Sequence, residues 1–350
     1  MLAFFLKRLA SLVFTMLVVS ALVFAAFEFT PGQVATKILG PFSTQDQRDR
    51  LMEELGLNRP VYERYFEWLG VLPGWTATSA ADGRPIGRCV KPGVPPEETP
   101  TFCGVLQGEL GYSTLYKQPV NDIIWNRLGN TLLLAAIAFA VMVPLSILFG
   151  ITAGMREGSK LDRTISVASI VTTSVPEFAS GVFLVSIFVI GLGWLPGTAP
   201  LDSGAGWPIA AQLVLPVAVV VLYDLGYVVR MVRASMVEVM TRPYIRTAIL
   251  KGLTFRGVIM KHALRNSLIT ITTILGLQLG ALISGVVITE SIFVIPGFGR
   301  LTLDAINQRD YTLLQGVVLV AAAGYVLVNL TVDVLYSVLN PRIRVSSGPA

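Results

Sequence analysis

Six long apolar runs alternate with polar stretches along this chain. The first, Leu9 to Phe27, follows Lys7 and Arg8. It is longer than the roughly 7–15 apolar residues of a signal peptide, the competing reading, and no small-x-small cleavage site follows it. It is therefore read as a retained first span. The later runs are Leu128 to Thr152, Ile165 to Leu192, Ile209 to Val229, Leu268 to Ile295 and Leu313 to Leu339. Each is long enough for the roughly 20 residues that cross a hydrocarbon core. Pro144 and Pro176 lie inside the second and third runs and permit a kink or a break, because proline leaves a backbone carbonyl without its partner. The pattern predicts an all-α polytopic membrane protein with six transmembrane helices. Its divisions are an N-terminus with the first helix (1–29), a polar loop region (30–127), a five-helix core (128–340) and a tail (341–350).

The polar region after the first helix carries its own signals. Thr44 and Gln47 have the spacing of a capping box. Leu51, Met52 and Leu55 then form one apolar stripe, ended by Gly56. A second short helix is predicted over Val61–Leu69, with Tyr62, Tyr65, Phe66 and Trp68. Such an aromatic cluster reads as an interfacial belt or a local core before it reads as a ligand site. Residues 72–104 are rich in Pro, Gly, Ala and Thr without helical period, and read as an ordered loop or hairpin insert.

The stretch Arg230 to Arg265 is different again. It carries Arg230, Arg233, Arg242, Arg246, Lys251, Arg256, Lys261 and Arg265 against a single acid, Glu238. Short cytoplasmic loops of membrane proteins concentrate Lys and Arg, so it is placed inside the cell. With Lys7, Arg8, Arg342 and Arg344 this puts both termini inside as well and the 30–127 region outside. Apolar residues recur at helical spacing from Met236 to Ile249. Gly252 stands where a helix would end in the left-handed conformation, and Thr254 can cap a second helix. The expected form is helix, sharp turn, helix. An ordinary positive-inside loop is the plainer alternative.

That segment resembles the cytoplasmic coupling loop of ABC-importer permeases. With Gly252 as anchor, the Glu-Ala-Ala positions of the loose signature hold Arg246, Thr247 and Ala248, so the strict consensus is largely absent. The form found, RTAILKGL followed by HALRNSL, is similar to the dipeptide/oligopeptide, binding-protein-dependent branch. Further pieces in the same order carry the resemblance: GELGYS (108–113), PVNDIIWNRLGNT (119–131), ESIFVIPGFGRL (290–301), RDYTLLQG (309–316) and NLTVDVLYSVLNPRIR (329–344). It covers roughly residues 1–71 and 105–344. The resemblance implies a type I importer permease in a bacterial inner membrane. It assigns contact with ATPases to Met236, Tyr244, Arg246, Thr247, Ala248, Lys251, Gly252, Leu253, His262 and Leu264. It also implies the partners: a homologous second permease, two cytoplasmic ATPases carrying ATP and Mg, and an external solute-binding protein. No cofactor is expected on this chain. Nickel, sugars or other small solutes are alternative cargoes within the same architecture.

Composition agrees with the membrane reading. Of 350 residues 53% are hydrophobic and 14% charged, with net charge +5; soluble domains carry about 25% charged residues. No water-facing basic surface interleaved with aromatics suggests nucleic acid. One histidine and two cysteines exclude a His-rich metal site or a cysteine cluster. Cys89 and Cys103 both fall in the external insert, where thiols usually pair, and a disulfide is expected. GMREGSK (154–160) lacks the spacing of a phosphate-binding loop, and Leu161 occupies the hydroxyl position. No catalytic set is present. The remaining candidates are acids in or near the spans: Glu177, Asp224, Glu290 and Asp333. Ionised carboxylates at membrane depth usually face a cavity or a partner. Two readings stand for them: groups lining a translocation path, or interfacial groups paired with Arg230, Arg163 or Arg342. The rival classes of function are a stand-alone secondary transporter or channel and a membrane scaffold.

Overall fold

The computed structural model describes residues 2–28, 39–40, 42–54, 56–78, 85–87, 89–90, 99–113, 115–283 and 286–339. Arg342, Arg344 and most of the 79–98 stretch lie outside the described residues. In chain order the elements are α1 (Leu2–Glu28), α2 (Gln45–Glu54), α3 (Val61–Leu69), β1 (Thr76–Thr78), β2 (Pro85–Gly87), β3 (Tyr112–Ser113), β4 (Gln118–Pro119) and α4 (Val120–Met155). There follow α5 (Lys160–Ser174), α6 (Glu177–Val185), α7 (Ile209–Met240), α8 (Pro243–Leu250), α9 (Phe255–Val258), α10 (Leu264–Ile283), α11 (Val287–Ile292), α12 (Phe298–Asn307) and α13 (Tyr311–Leu339).

Among the described residues, five segments are long and apolar enough to cross a membrane: Arg8–Ala26, Val120–Met155, Ile209–Met240, Thr270–Ile292 and Tyr311–Val334. The expected third span is not straight. It is the pair α5 and α6, bent by 94°. The cause is local. Pro176 has no N–H to continue the ladder, and the residue before a proline is pushed out of the helical region. Val175 accordingly takes φ −85°, ψ 122°. By contrast, α4 and α7 run on past Pro144 and Pro216. The expected boundary near Val229 is also displaced, since α7 continues to Met240.

The chain divides into two compact units. The first comprises residues 1–8, 127–303 and 321–350. Its core gathers Leu134, Met142, Leu213, Val219, Val228, Ile271 and Phe293. The helix α7 runs through this core, and small residues let neighbours approach it closely. A Cβ on Gly226 would lie 2.3 Å from the Ser169 carbonyl oxygen of α5. Gln212 on α7, 1% exposed, is fully used. It accepts from the Leu201 N–H at 2.8 Å and donates to the Asp202 and Trp207 carbonyls at 2.8 and 2.9 Å. The turn before α7 is thereby fixed to the helix it feeds. Asp333 pairs with Arg8 at 3.1 Å, a partner absent from the arginines named for it above.

The second unit comprises residues 9–126 and 304–320. The capping box forms: Thr44 N–H donates to the Gln47 side chain at 3.0 Å and Gln47 N–H to the Thr44 hydroxyl at 3.3 Å. The insert begins as a hairpin in which β1 pairs antiparallel with β2, Thr76 opposite Gly87. Cys89 and Cys103 form the expected disulfide, both nearly buried, with Cα atoms 5.4 Å apart. Asp310, 1% exposed, organises the other end. It accepts from the Ser113 hydroxyl at 2.7 Å, the Leu115 N–H at 2.9 Å and the Leu313 N–H at 3.1 Å. One carboxylate therefore caps α13 and holds the β3–β4 hairpin.

Candidate functional site

The segment 230–265 is built on the end of α7. Met236 is fully buried there. Two glycines of α4 let this end of α7 approach closely: a Cβ on Gly150 would meet the Val232 Cβ at 2.5 Å, and one on Gly154 the Met236 Cβ at 2.7 Å. On the α5 side, Arg233 donates to both oxygens of Asp162, at 2.5 and 2.8 Å. Asp162 also accepts from the Gly158 N–H at 3.0 Å, while Ser159 caps α5 through the Asp162 N–H. Bidentate guanidinium–carboxylate pairs fix geometry as well as charge, so the base of the segment is held between α4 and α5.

From this base the chain turns at Arg242, which pairs with Glu238 one helical turn back, and enters α8 through Pro243. Proline at the first helical position is preset for the helix and sacrifices no hydrogen bond. Ile245 and Ala248 face inward, 1% and 5% exposed, onto Met236, Val258, Ile259 and Ala263. The helix ends in a Schellman motif: Gly252 N–H donates to Ile249 O at 2.9 Å and Leu253 N–H to Ala248 O at 3.4 Å. Gly252 takes φ +76° with open space where a Cβ would stand. Thr254 then caps the next helix through the Gly257 N–H at 3.3 Å. That helix is continuous with α10 through one wide π turn, Ile259–Ala263.

The expected helix–turn–helix is thus present, with a shifted frame. Its first limb is split between the end of α7 and the short α8, and its second is the start of the next long helix. Of the residues named for partner contact, Tyr244, Arg246, Thr247, Lys251, Gly252 and Leu253 are exposed. His262 and Leu264 are half-buried, while Met236 and Ala248 belong to the supporting core. The outer face is also strongly apolar: Leu250 is 80% exposed, Met260 64% and Phe255 55%. Asp162 was missed in the sequence, where it is one acid in a short charged loop with no spacing relation to Arg233.

The acids in the spans divide differently. Asp224 accepts from the Gln278 amide at 2.6 Å, and Glu177 from the Thr289 hydroxyl. Both are half-buried. Glu290 is fully buried. It accepts from the Thr131 hydroxyl and, at 2.8 Å, from the Arg300 N–H. Thr131 in turn accepts from the Phe298 N–H at 2.7 Å, and the Asn130 amide donates to Pro296 O at 2.9 Å. The carboxylate sits inside the PGFGR turn, where a Cβ on Gly297 would lie 2.2 Å from its Cδ. The glycine is therefore needed for the close approach. Within this motif α12 already begins at Phe298.

Apolar helices of spanning length, one right-angled pair and a basic amphipathic segment on a rigid base define an all-α polytopic membrane protein. Its family follows from comparison with known proteins. The chain belongs to the binding-protein-dependent transport system inner membrane component family, whose profile matches residues 146–345, while the N-terminal membrane-component profile matches residues 1–94. It is a permease subunit of an ATP-driven ABC importer.

Several relatives match over nearly the whole chain. A Brucella abortus (strain 2308) protein, named as a permease of a peptide transport system, is 35% identical over 347 residues, covering 98% of this chain and 99% of its own. The glutathione transport system permease protein GsiC of Shigella flexneri serotype 5b is 34% identical with the same coverage. The oligopeptide transport system permease protein AppB of Bacillus subtilis is 31% identical, covering 98% and 100%. Among solved structures, the inward-facing MetNI methionine ABC transporter aligns with TM-score 0.48 and 18% identity, covering 62% of this chain and 94% of that one.

Proposed function

We propose that this chain forms, with a homologous second permease, the translocation path of an importer for di- or oligopeptides. Two cytoplasmic ATPases, which carry the ATP and Mg, drive it through segment 230–265, and an external binding protein delivers the solute. Both termini and this segment then lie on the cytoplasmic side of a bacterial inner membrane. The peptide assignment is supported by the relatives' names, which specify peptides, oligopeptides and glutathione.

The observation that carries the coupling role is the two-sidedness of α8 and its turn. One side, Ile245 and Ala248, is locked to Met236. The other offers Tyr244, Ile249, Leu250 and Leu253 beside Arg246 and Lys251. An amphipathic helix with an apolar outer face suits a groove on a partner. Its rigid base would pass a push on to α4, α5 and α7. ATP can shift an inward/outward equilibrium only through contacts that differ between the two states, and such contacts belong on this outer face.

The test is uptake and ATP hydrolysis by the reconstituted complex carrying Leu250→Asp. Uptake should fall at least tenfold, about 1.4 kcal/mol of lost contact, with the protein inserted normally. Uptake equal to the parent's, or solute movement by the purified chain alone, refutes the proposal.

A further inference from the structure

The short helix α3 presents two faces that together point to lipid. One packs on the first span at membrane depth. The Tyr65 hydroxyl bonds the Ser20 hydroxyl at 2.8 Å, and the Phe24 ring lies 5.4 Å from Tyr65 and 5.6 Å from Trp68. The apolar stretch of α1 runs to Ala26. At about 1.5 Å per residue, Ser20 lies roughly 9 Å inside that end and Phe24 roughly 3 Å. A helix whose side chains reach those levels lies at the boundary between headgroups and acyl chains.

The other face is exposed and apolar. Successive residues turn by about 100° around a helix, which places Val61, Tyr65, Trp68 and Leu69 on an arc continuous with Tyr62 and Phe66. Tyr62 is 64% and Phe66 41% exposed. The charged residues Glu63, Arg64 and Glu67 fill the opposite arc. Glu67 is held by Arg59 at 2.5 Å, which also reaches Glu63 at 2.9 Å. The Glu67 hydrogen bond, the largest influence, raises the Arg59 guanidinium above its ordinary pKa, so the polar side stays an ion pair. Beside the contact with α1 the apolar arc of α3 continues onto this exposed edge, and Phe14, Leu17 and Leu22 of the span are themselves exposed.

We propose that α3 is an interfacial helix whose Tyr62–Phe66 edge is covered by the bilayer at the end of α1 remote from Arg8. Amphipathic helices lie in this way with the apolar face a few ångströms into the headgroup boundary, and aromatic residues are favoured there. In this role α3 holds the first span at a fixed depth. The inference requires α1 in a membrane and is independent of the coupling role of segment 230–265.

The test is spin labelling of Tyr62→Cys, Phe66→Cys and, as a water-facing control, Asp46→Cys, whose side chain is 76% exposed. The native cysteines are paired and take no label without reductant. Labels are read in nanodiscs of phosphatidylethanolamine and phosphatidylglycerol, for the chain alone and for the full transporter. At positions 62 and 66, collision with dissolved oxygen should exceed that at 46, and collision with a water-soluble nickel chelate should be several-fold lower. Nickel access equal to the control's overturns the proposal. So does loss of access to both reagents only in the full transporter, because a protein partner then covers this edge.

Discussion

Asp162→Asn tests the clamp beneath the segment proposed to meet the ATPases. The native carboxylate accepts from the Nε and one Nη of Arg233 and from the Gly158 N–H, with 6% of its side chain exposed against 28% for Arg233. Asparagine keeps one acceptor oxygen and loses the charge. At least one charge-assisted bond goes, and such bonds contribute about 1.5–3 kcal/mol. Removing one partner of a fully buried pair costs about 3–5 kcal/mol. Arg233 retains access to water, so the cost should sit lower, at about 2–3 kcal/mol. At roughly 2–4 °C per kcal/mol for domains of 150–250 residues, the melting temperature should drop by about 4–12 °C. The assay is thermal unfolding of the detergent-solubilised chain followed by intrinsic fluorescence, for Asp162→Asn, Arg233→Gln and the double variant. The double variant should be less destabilised than the sum of the singles by about 1 kcal/mol or more. Additive effects, or a drop under about 1 °C, would show that the pair holds nothing.

Three further outcomes follow from individual positions. Gly252→Val should destabilise by about 1–2 kcal/mol, the cost of a left-handed conformation with a Cβ, and Gly252→Asn by less; because the space there is open, equal melting of parent and Val variant would refute a purely backbone cause. Gly297→Ala should lower stability by about 1–3 kcal/mol through overpacking against Glu290, and less in a Glu290→Ala background, as measured by the same melts. Cys89→Ser should cost about 3 kcal/mol for the short loop it opens, and the parent should show a mobility shift on non-reducing gels that the variant lacks.

Much of this architecture was legible because the bilayer imposes a simple code. Spans must be long and apolar, so α1, α4, α7 and α13 stand out from hydropathy alone. Local chemistry was legible for a similar reason: the capping box at Thr44, the glycine end of α8 and the Thr254 cap depend on neighbours within a few residues. The broken third span was only half visible. Pro176 marked a possible break, but a proline inside α4 or α7 interrupts neither helix, so the residue alone does not fix the angle. Partners of the acids were not legible. Asp162 meets Arg233 seventy-one positions away, and Glu290 meets Thr131 across 159.

The order of apolar, basic and glycine-bearing stretches was enough to determine a polytopic membrane protein with an amphipathic basic segment, because partitioning into lipid and capping of helices are decided residue by residue; its identity as a permease rested on resemblance. Only the tertiary structure decided which face of α8 is anchored and which is offered, that Glu290 is spent on the PGFGR turn, and that α3 packs against the first span. Those outcomes depend on which distant backbones come within a few ångströms of each other, a relation that no local pattern encodes.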